Sequence, residues 1–112
     1  MIWVKYFLNL ASSIAERSDA GAVIVSPDHR VLSLGHSDEQ HAERNAINGV
    51  DRSRLDGATI YISRAPCTDC ADFIREVGLL SLVCPEGTVN LNYGEYYLVS
   101  KQILDIVENR GQ

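Results

Sequence analysis

The sequence predicts one α/β domain over residues 1–112, folded as a three-layer α/β/α sandwich around a mixed sheet. Three observations predict it. Strand-like runs alternate with helical ones after an initial hairpin. The helical stretches repeat their apolar residues every three to four positions, whereas the strands are short and β-branched. At 112 residues and 46% hydrophobic, the chain can bury one compact core and is too short for two ordinary domains.

The first element is an amphipathic helix, with Trp3, Phe7, Leu10 and Ile14 at helical spacing and the segment ending near Glu16. Lys5 and Asn9 interrupt its apolar character and no small-residue cleavage site follows, so it reads as a helix of the mature fold rather than a leader. Ala22-Val23-Ile24-Val25 and Val31-Leu32-Ser33-Leu34, closing at Gly35, flank the turn residues Ser26-Pro27-Asp28-His29 as a hairpin. Ser37 or Asp38 then caps a second helix running through His41 to about Asn48 and stopped by Gly49, with a polar loop to Gly57 after it. Ala58 to Ser63 alternates as a strand. Pro66 opens a third helix from Cys67 to about Val77, ended by Gly78. Leu79 to Cys84 is a further strand. Thr88 to Leu91 is either a short strand or a loop, and Val99, Ile103, Ile106 and Val107 support a closing helix over Glu95 to Asn109.

Composition narrows the function. No apolar run reaches the roughly 18 residues of a membrane span, which predicts a soluble protein. The net charge is -5 and the ten basic residues are scattered, so no basic stripe exists to follow a long nucleic acid; a small nucleotide needs only one or two local cations. Of three cysteines, Cys67 and Cys70 stand at metal-ligand spacing rather than in a disulfide framework, which predicts a reducing cytoplasm.

The chemistry lies in His41-Ala42-Glu43 and Pro66-Cys67-Thr68-Asp69-Cys70, the His-x-Glu and Pro-Cys-x-x-Cys pattern of zinc nucleobase deaminases. Two thiolates from one helix start and an imidazole from another supply three ligands, His41, Cys67 and Cys70, and leave the fourth position of Zn2+ for water. Zinc makes that water a nucleophile near neutral pH, and Glu43 moves the protons between water, ring nitrogen and departing amine. Each piece alone has a plainer reading. A Cys-x-x-Cys pair also serves structural zinc or redox chemistry, and His-x-Glu is often a solvated helical turn. A structural site needs a fourth protein ligand, for which His29, His36 and Cys84 are the unused soft candidates. His29 falls in the hairpin turn, Cys84 reads as a small buried hydrophobe, and His36 as a loop or substrate-contacting residue.

From about Ala15 to Leu82 the chain resembles the deoxycytidylate (dCMP) deaminase branch of the cytidine deaminase superfamily, including its small phage-encoded members. The resemblance is carried by Glu16-Arg17-Ser18, Gly21 to Val25, His41-Ala42-Glu43-Arg44-Asn45-Ala46-Ile47, Ala58 to Ser63, and Ala65 to Ala71. It implies a cytidine deaminase-like fold, conversion of dCMP to dUMP and ammonia, a homo-oligomer, and pyrimidine contacts from the backbone around Ala42, Ala65 and Pro66. Arg17, Ser37 or Arg44 are its candidates for the phosphate, although a helical Arg44 projects roughly 100° from Glu43 and equally suits a surface or subunit interface. Tyr93, Tyr96 and Tyr97 fall where a base or a neighbouring subunit could be covered. One departure stands out: Gly35-His36-Ser37-Asp38 replaces the family's Gly-Tyr-Asn-Gly, and only five residues separate Gly35 from His41. The insertion linked to phosphate binding and triphosphate regulation is missing. The readings left open are another base or context (cytidine, 5-methyl-dCMP, guanine, single-stranded DNA or RNA) and a non-catalytic zinc-stabilised binding module.

Overall fold

In the computed structural model, residues 2–15, 20–37, 41–64, 66, 68–85 and 87–90 are described. Helix α1 (Ile2–Ile14) precedes the hairpin β1 (Gly21–Val25) and β2 (Val31–His36). Helix α2 (Ala42–Asn48), β3 (Thr59–Ile62), α3 (Thr68–Glu76), β4 (Ser81–Cys84) and β5 (Gly87–Asn90) follow in that order. The five strands form one sheet in the order β2-β1-β3-β4-β5. β1 lies antiparallel to both β2 and β3, β3 and β4 are parallel, and β4 and β5 are antiparallel, so the sheet is mixed as the sequence predicts. The parallel pair is joined through α3, as a parallel crossover requires.

Alternation along the strands separates the two faces. Val23, Val25, Tyr61 and Val83 point to Phe7 and Ala11 of α1. Ala22, Ile24, Ile60, Ile62, Leu82 and Cys84 point the other way, to Ala42, Ala46 and Ile47 of α2 and Ile74 of α3. Helices therefore cover both faces, and the three-layer sandwich stands. Every residue of β1 is buried, which suits a strand paired on both sides and covered on both faces.

Several boundaries differ from expectation. β2 runs on to His36, held in register opposite Gly21. The N-cap of α2 is His41, extended at φ -69 and ψ 153, and not Ser37, whose N–H donates to Ala20 O (3.0 Å). The hydroxyl of Ser37 turns to the same carbonyl (3.4 Å), so its capping chemistry is used on the sheet rather than on the helix. Of the two readings of 88–91, the strand is the observed one, with Cys84 opposite Gly87 across the turn. The loop before β3 contains a short 3-10 turn, Arg52–Arg54. Asp38, the expected closing helix at 95–109 and the tyrosines at 93, 96 and 97 lie outside the described residues.

Candidate active site

Topology brings the two motifs together. β2 and β3 both pair antiparallel with β1, so they run in the same direction and end at the same edge of the sheet. They stand two strand spacings apart, about 10 Å. The connections leading to α2 and α3 therefore begin side by side. The start of β1 ties them down: Ala20 O accepts from Ser37 at 3.0 Å, while Gly21 N donates to Ser63 Oγ (3.0 Å) and Gly21 O accepts from Ser63 N (2.9 Å).

Helix α2 is held hard against β2. A Cβ at Gly35 would collide with Ala42 O and lie 2.5 Å from Ala46 N, a space only glycine leaves open. Ser33 Oγ donates to Ala46 O at 2.6 Å, and Asn45 Nδ2 donates to His36 O at 2.7 Å. These contacts fix the helical turn that carries Glu43, whose side chain is only 4% exposed. Among the described residues no hydrogen-bond donor engages its carboxylate.

His41, at the mouth of the site, places Nδ1 2.8 Å from Sγ of the buried Cys70 in the first turn of α3. Ligand atoms of His41, Glu43 and Cys70 all lie within 4.8 Å of one another. The donor set fits zinc, since imidazole nitrogen and thiolate sulfur are its preferred partners. At ordinary Zn–N and Zn–S lengths in a tetrahedron, two such donors stand about 3.5 Å apart. His41 and Cys70 need to separate by less than an ångström or so to admit the ion.

Of the other residues singled out in the sequence, Ala42 is fully buried as the first residue of α2, and Pro66 is buried beside the start of α3. Ser37 keeps both of its donors on Ala20. Cys67, Ala65 and Arg17 lie outside the described residues. Arg44 leans across to α3, its guanidinium 4.5 Å from the centre of the Phe73 ring, and Arg52 approaches the same ring at 5.4 Å. Contact of this kind braces the two helices through cation–π attraction. His29 is exposed in the hairpin turn and His36 is exposed at the end of β2, whereas Cys84 is buried under α2 and α3 as expected. Sequence reasoning passed over Asn45 and Ser33, whose side chains tie α2 to β2. The available signal was an asparagine inside a helix, where it is a poor helix former and a strong maker of local hydrogen bonds.

The family model for the cytidine and deoxycytidylate deaminase zinc-binding region matches residues 1–85. Deoxycytidylate deaminase of Mycobacterium phage D29 is 30% identical over an alignment covering 75% of this chain and 94% of that protein. In fold, the apo dCMP deaminase of cyanophage S-TIM5 is similar with a TM-score of 0.62 at 20% identity, over 72% of this chain and 80% of that one. A structure from studies of A-to-I editing by tRNA:A34 deaminases gives a TM-score of 0.59 at 31% identity, over 74% of this chain and 79% of that one.

Proposed function

The chain belongs to the cytidine and deoxycytidylate deaminase zinc-binding family, a class of zinc-dependent hydrolases, and from that premise we propose that it deaminates a cytosine nucleotide, dCMP first among them. The balanced reaction adds one water to dCMP and gives dUMP and ammonia. The observation that carries the reading is the convergence of His41, Glu43 and Cys70 within 4.8 Å, with the carboxylate buried among them. His41 and Cys70, with Cys67 as third ligand, hold the zinc. When bound, zinc supplies Lewis acidity that brings the ionisation of a water molecule toward neutral pH.

Glu43 then carries the protons. One of its carboxylate oxygens accepts the first proton of the attacking water and passes it to the pyrimidine ring nitrogen; it then takes the second proton from the newly bound hydroxyl, whose oxygen becomes the carbonyl, and gives it to the exocyclic amine, which leaves as ammonia as its bond to carbon breaks. Burial keeps bulk water from competing for that proton. The backbone at Ala42 and around Ala65 and Pro66 lines the pyrimidine, and Arg17 takes the phosphate. Ser37 joins Arg17 only by releasing Ala20, because both of its donors now point there. Action in the cytoplasm and assembly into a homo-oligomer belong to the same reading. Among the described residues no helix is long and apolar enough to cross a membrane.

A panel of cytidine, deoxycytidine, dCMP, 5-methyl-dCMP, guanine, a cytosine-bearing single strand and an adenosine-bearing tRNA, read by ammonia release, tests the substrate. dCMP is expected to turn over fastest, and preference for any other member replaces it. The scattered basic residues and the net charge of -5 weigh against the two nucleic acids. Glu43→Gln is expected to keep its zinc and fold and to lose about 10²–10⁴ in turnover, the usual span for a positioned acid–base group. Undiminished turnover in that variant removes Glu43 from the mechanism.

A further inference from the structure

Among the described residues five large apolar side chains are exposed, and four of them share one face. Val31 and Leu34 lie on β2 opposite Val25 and Val23, so they point to the α1 side of the sheet as those two do. Trp3 and Tyr6 lie on α1, where with Leu10 they form one flank at helical spacing. Trp3 stacks on His29 in the β1–β2 turn, which sets that flank toward β2. The exposures are 47% for Trp3, 58% for Tyr6, 44% for Val31 and 52% for Leu34.

Beside this apolar face runs an open backbone edge. β2 is the outer strand of the sheet, and Val31 to His36 include no lysine, arginine, aspartate, glutamate or proline to guard it. Ser37 N–H bonds Ala20 O between β2 and β1, so bonded pairs recur at Ala22–Gly35 and Ile24–Ser33. Leu34 and His36, in the alternate positions, turn their N–H and C=O groups outward. The Asn45 amide meets the His36 carbonyl there, whereas Leu34 offers both of its groups.

We propose that this edge and face bind a second copy of the chain: two β2 strands pair antiparallel about a two-fold axis at Leu34, joining two five-stranded sheets into one. Each Leu34 N–H then donates to the Leu34 carbonyl of the other copy, and the two leucine side chains meet on the α1 side, between the two helix flanks. An identical strand is the occupant the geometry fits, because both copies present the same groups, as a two-fold interface requires, and no charged side chain is placed at the centre. The bulge opposite Ile24 and Val25 bends β2 near Leu32 and confines the pairing to the Leu34 end, so side chains provide most of the surface. An aromatic side chain carries about 150–250 Å². The four exposed side chains and the strand edge thus supply on the order of 500 Å² per copy, and specific interfaces begin at about 1,000 Å² in total.

The inference gives a surface to the homo-oligomer of the proposed function and rests on that reading only for its existence. Mass is measured on the zinc-loaded full chain by light scattering over a range of concentrations. The parent is expected to hold an even number of chains. Leu34→Lys, which sets two ammonium groups against each other at the axis, is expected to hold half as many at the same concentration. Leu80→Lys, at the fifth exposed apolar residue and beside β4, is the control and keeps the parental mass. Leu34→Cys tests the register without relying on dissociation. Bonded antiparallel partners stand about 5.5 Å apart at Cα, within the reach of a disulfide, so the oxidised variant runs as a covalent dimer on a non-reducing gel and the parent does not. A single-chain parent overturns the inference together with the homo-oligomer. An odd assembly, a parental mass kept by Leu34→Lys, or no cross-link in Leu34→Cys overturns the surface alone. Turnover of dCMP, read separately, tests the deaminase reading.

Discussion

On the α1 side of the sheet, Phe7 and Ala11 meet Val23, Val25, Tyr61 and Val83, and aromatic rings dominate: Phe7 packs against Tyr61 with centroids 5.2 Å apart. On the opposite side, alanines at 22, 42 and 46 let α2 come close, and the hydrogen bonds of Ser33 and Asn45 tie it to β2. The same strands build both faces. Tyr61, on the α1 side, has its phenol pushed above the ordinary 10.0 by burial, so it stays neutral throughout the physiological range. The other face holds a buried carboxylate, a thiol and an imidazole at one end. Large side chains fill space and tolerate small shifts, whereas small ones allow backbones to approach closely enough to fix where the polar groups at the helix starts stand. The α1 face stabilises, and the α2/α3 face positions.

Substitutions at matched places break or sharpen that contrast. Phe7→Ala empties the centre of the α1 face and is expected to cost about 3–5 kcal/mol of stability in chemical denaturation. Zinc content and turnover per folded molecule should remain those of the parent; a loss of zinc would mean that the faces are coupled. Next come two glycines, one per face. A Cβ at Gly21 would meet Ala11 O and stand 2.8 Å from Ala15 N of the first helical segment, just as one at Gly35 would meet Ala42 O and Ala46 N. Each Gly→Ala change should destabilise by about 1–3 kcal/mol, the ordinary range for overpacking. Only Gly35→Ala should also weaken zinc binding, and an equal effect at Gly21 would undo the assignment of roles.

The smallest effect lies in the β1–β2 turn. The Ser26 hydroxyl donates to Asp28 and holds its carboxyl below the usual 3.8, with a lesser contribution from Arg30 at 3.1 Å. A depressed folded-state value gives stability that is present above the unfolded pKa and fades as the pH falls through the folded one. Asp28→Asn is therefore expected to melt slightly lower than the parent near neutral pH, with the gap closing in strong acid. Because the turn is exposed, a large shift in melting temperature would contradict this account.

Much of the fold was legible because the pattern was strong where burial was strong. Val23, Ile24 and Val25 mark the central strand, and the 3.6-residue rhythm of Phe7, Leu10 and Ile14 marks α1. The meeting of His41, Glu43 and Cys70 was legible because each motif follows a strand, and their strands turn out to be parallel to one another across β1. Helix starts were harder. Ser37 has the side chain of an N-cap, yet a tertiary bond to Ala20 outcompetes the local one, and nothing within five residues of it announces that. The tie from Asn45 to His36 was hidden for the same reason: it depends on how closely Gly35 lets helix and strand approach, a distance no local pattern encodes. Arg44, a phosphate candidate whose helical position suited a surface or subunit interface, stacks on Phe73 of the neighbouring helix.

One aromatic contact gives the molecule an optical gauge. Trp3, the single tryptophan of the chain, lies parallel to the His29 imidazole, 4.3 Å between ring centres and 12° between planes. A stacked imidazole quenches indole emission, and more strongly once protonated. The brightness of Trp3 thus registers whether α1 is seated on the β1–β2 turn, on the face away from His41, Glu43 and Cys70. Unseating of the first helix can be followed by light alone, in the same sample whose zinc is being titrated on the other side of the sheet.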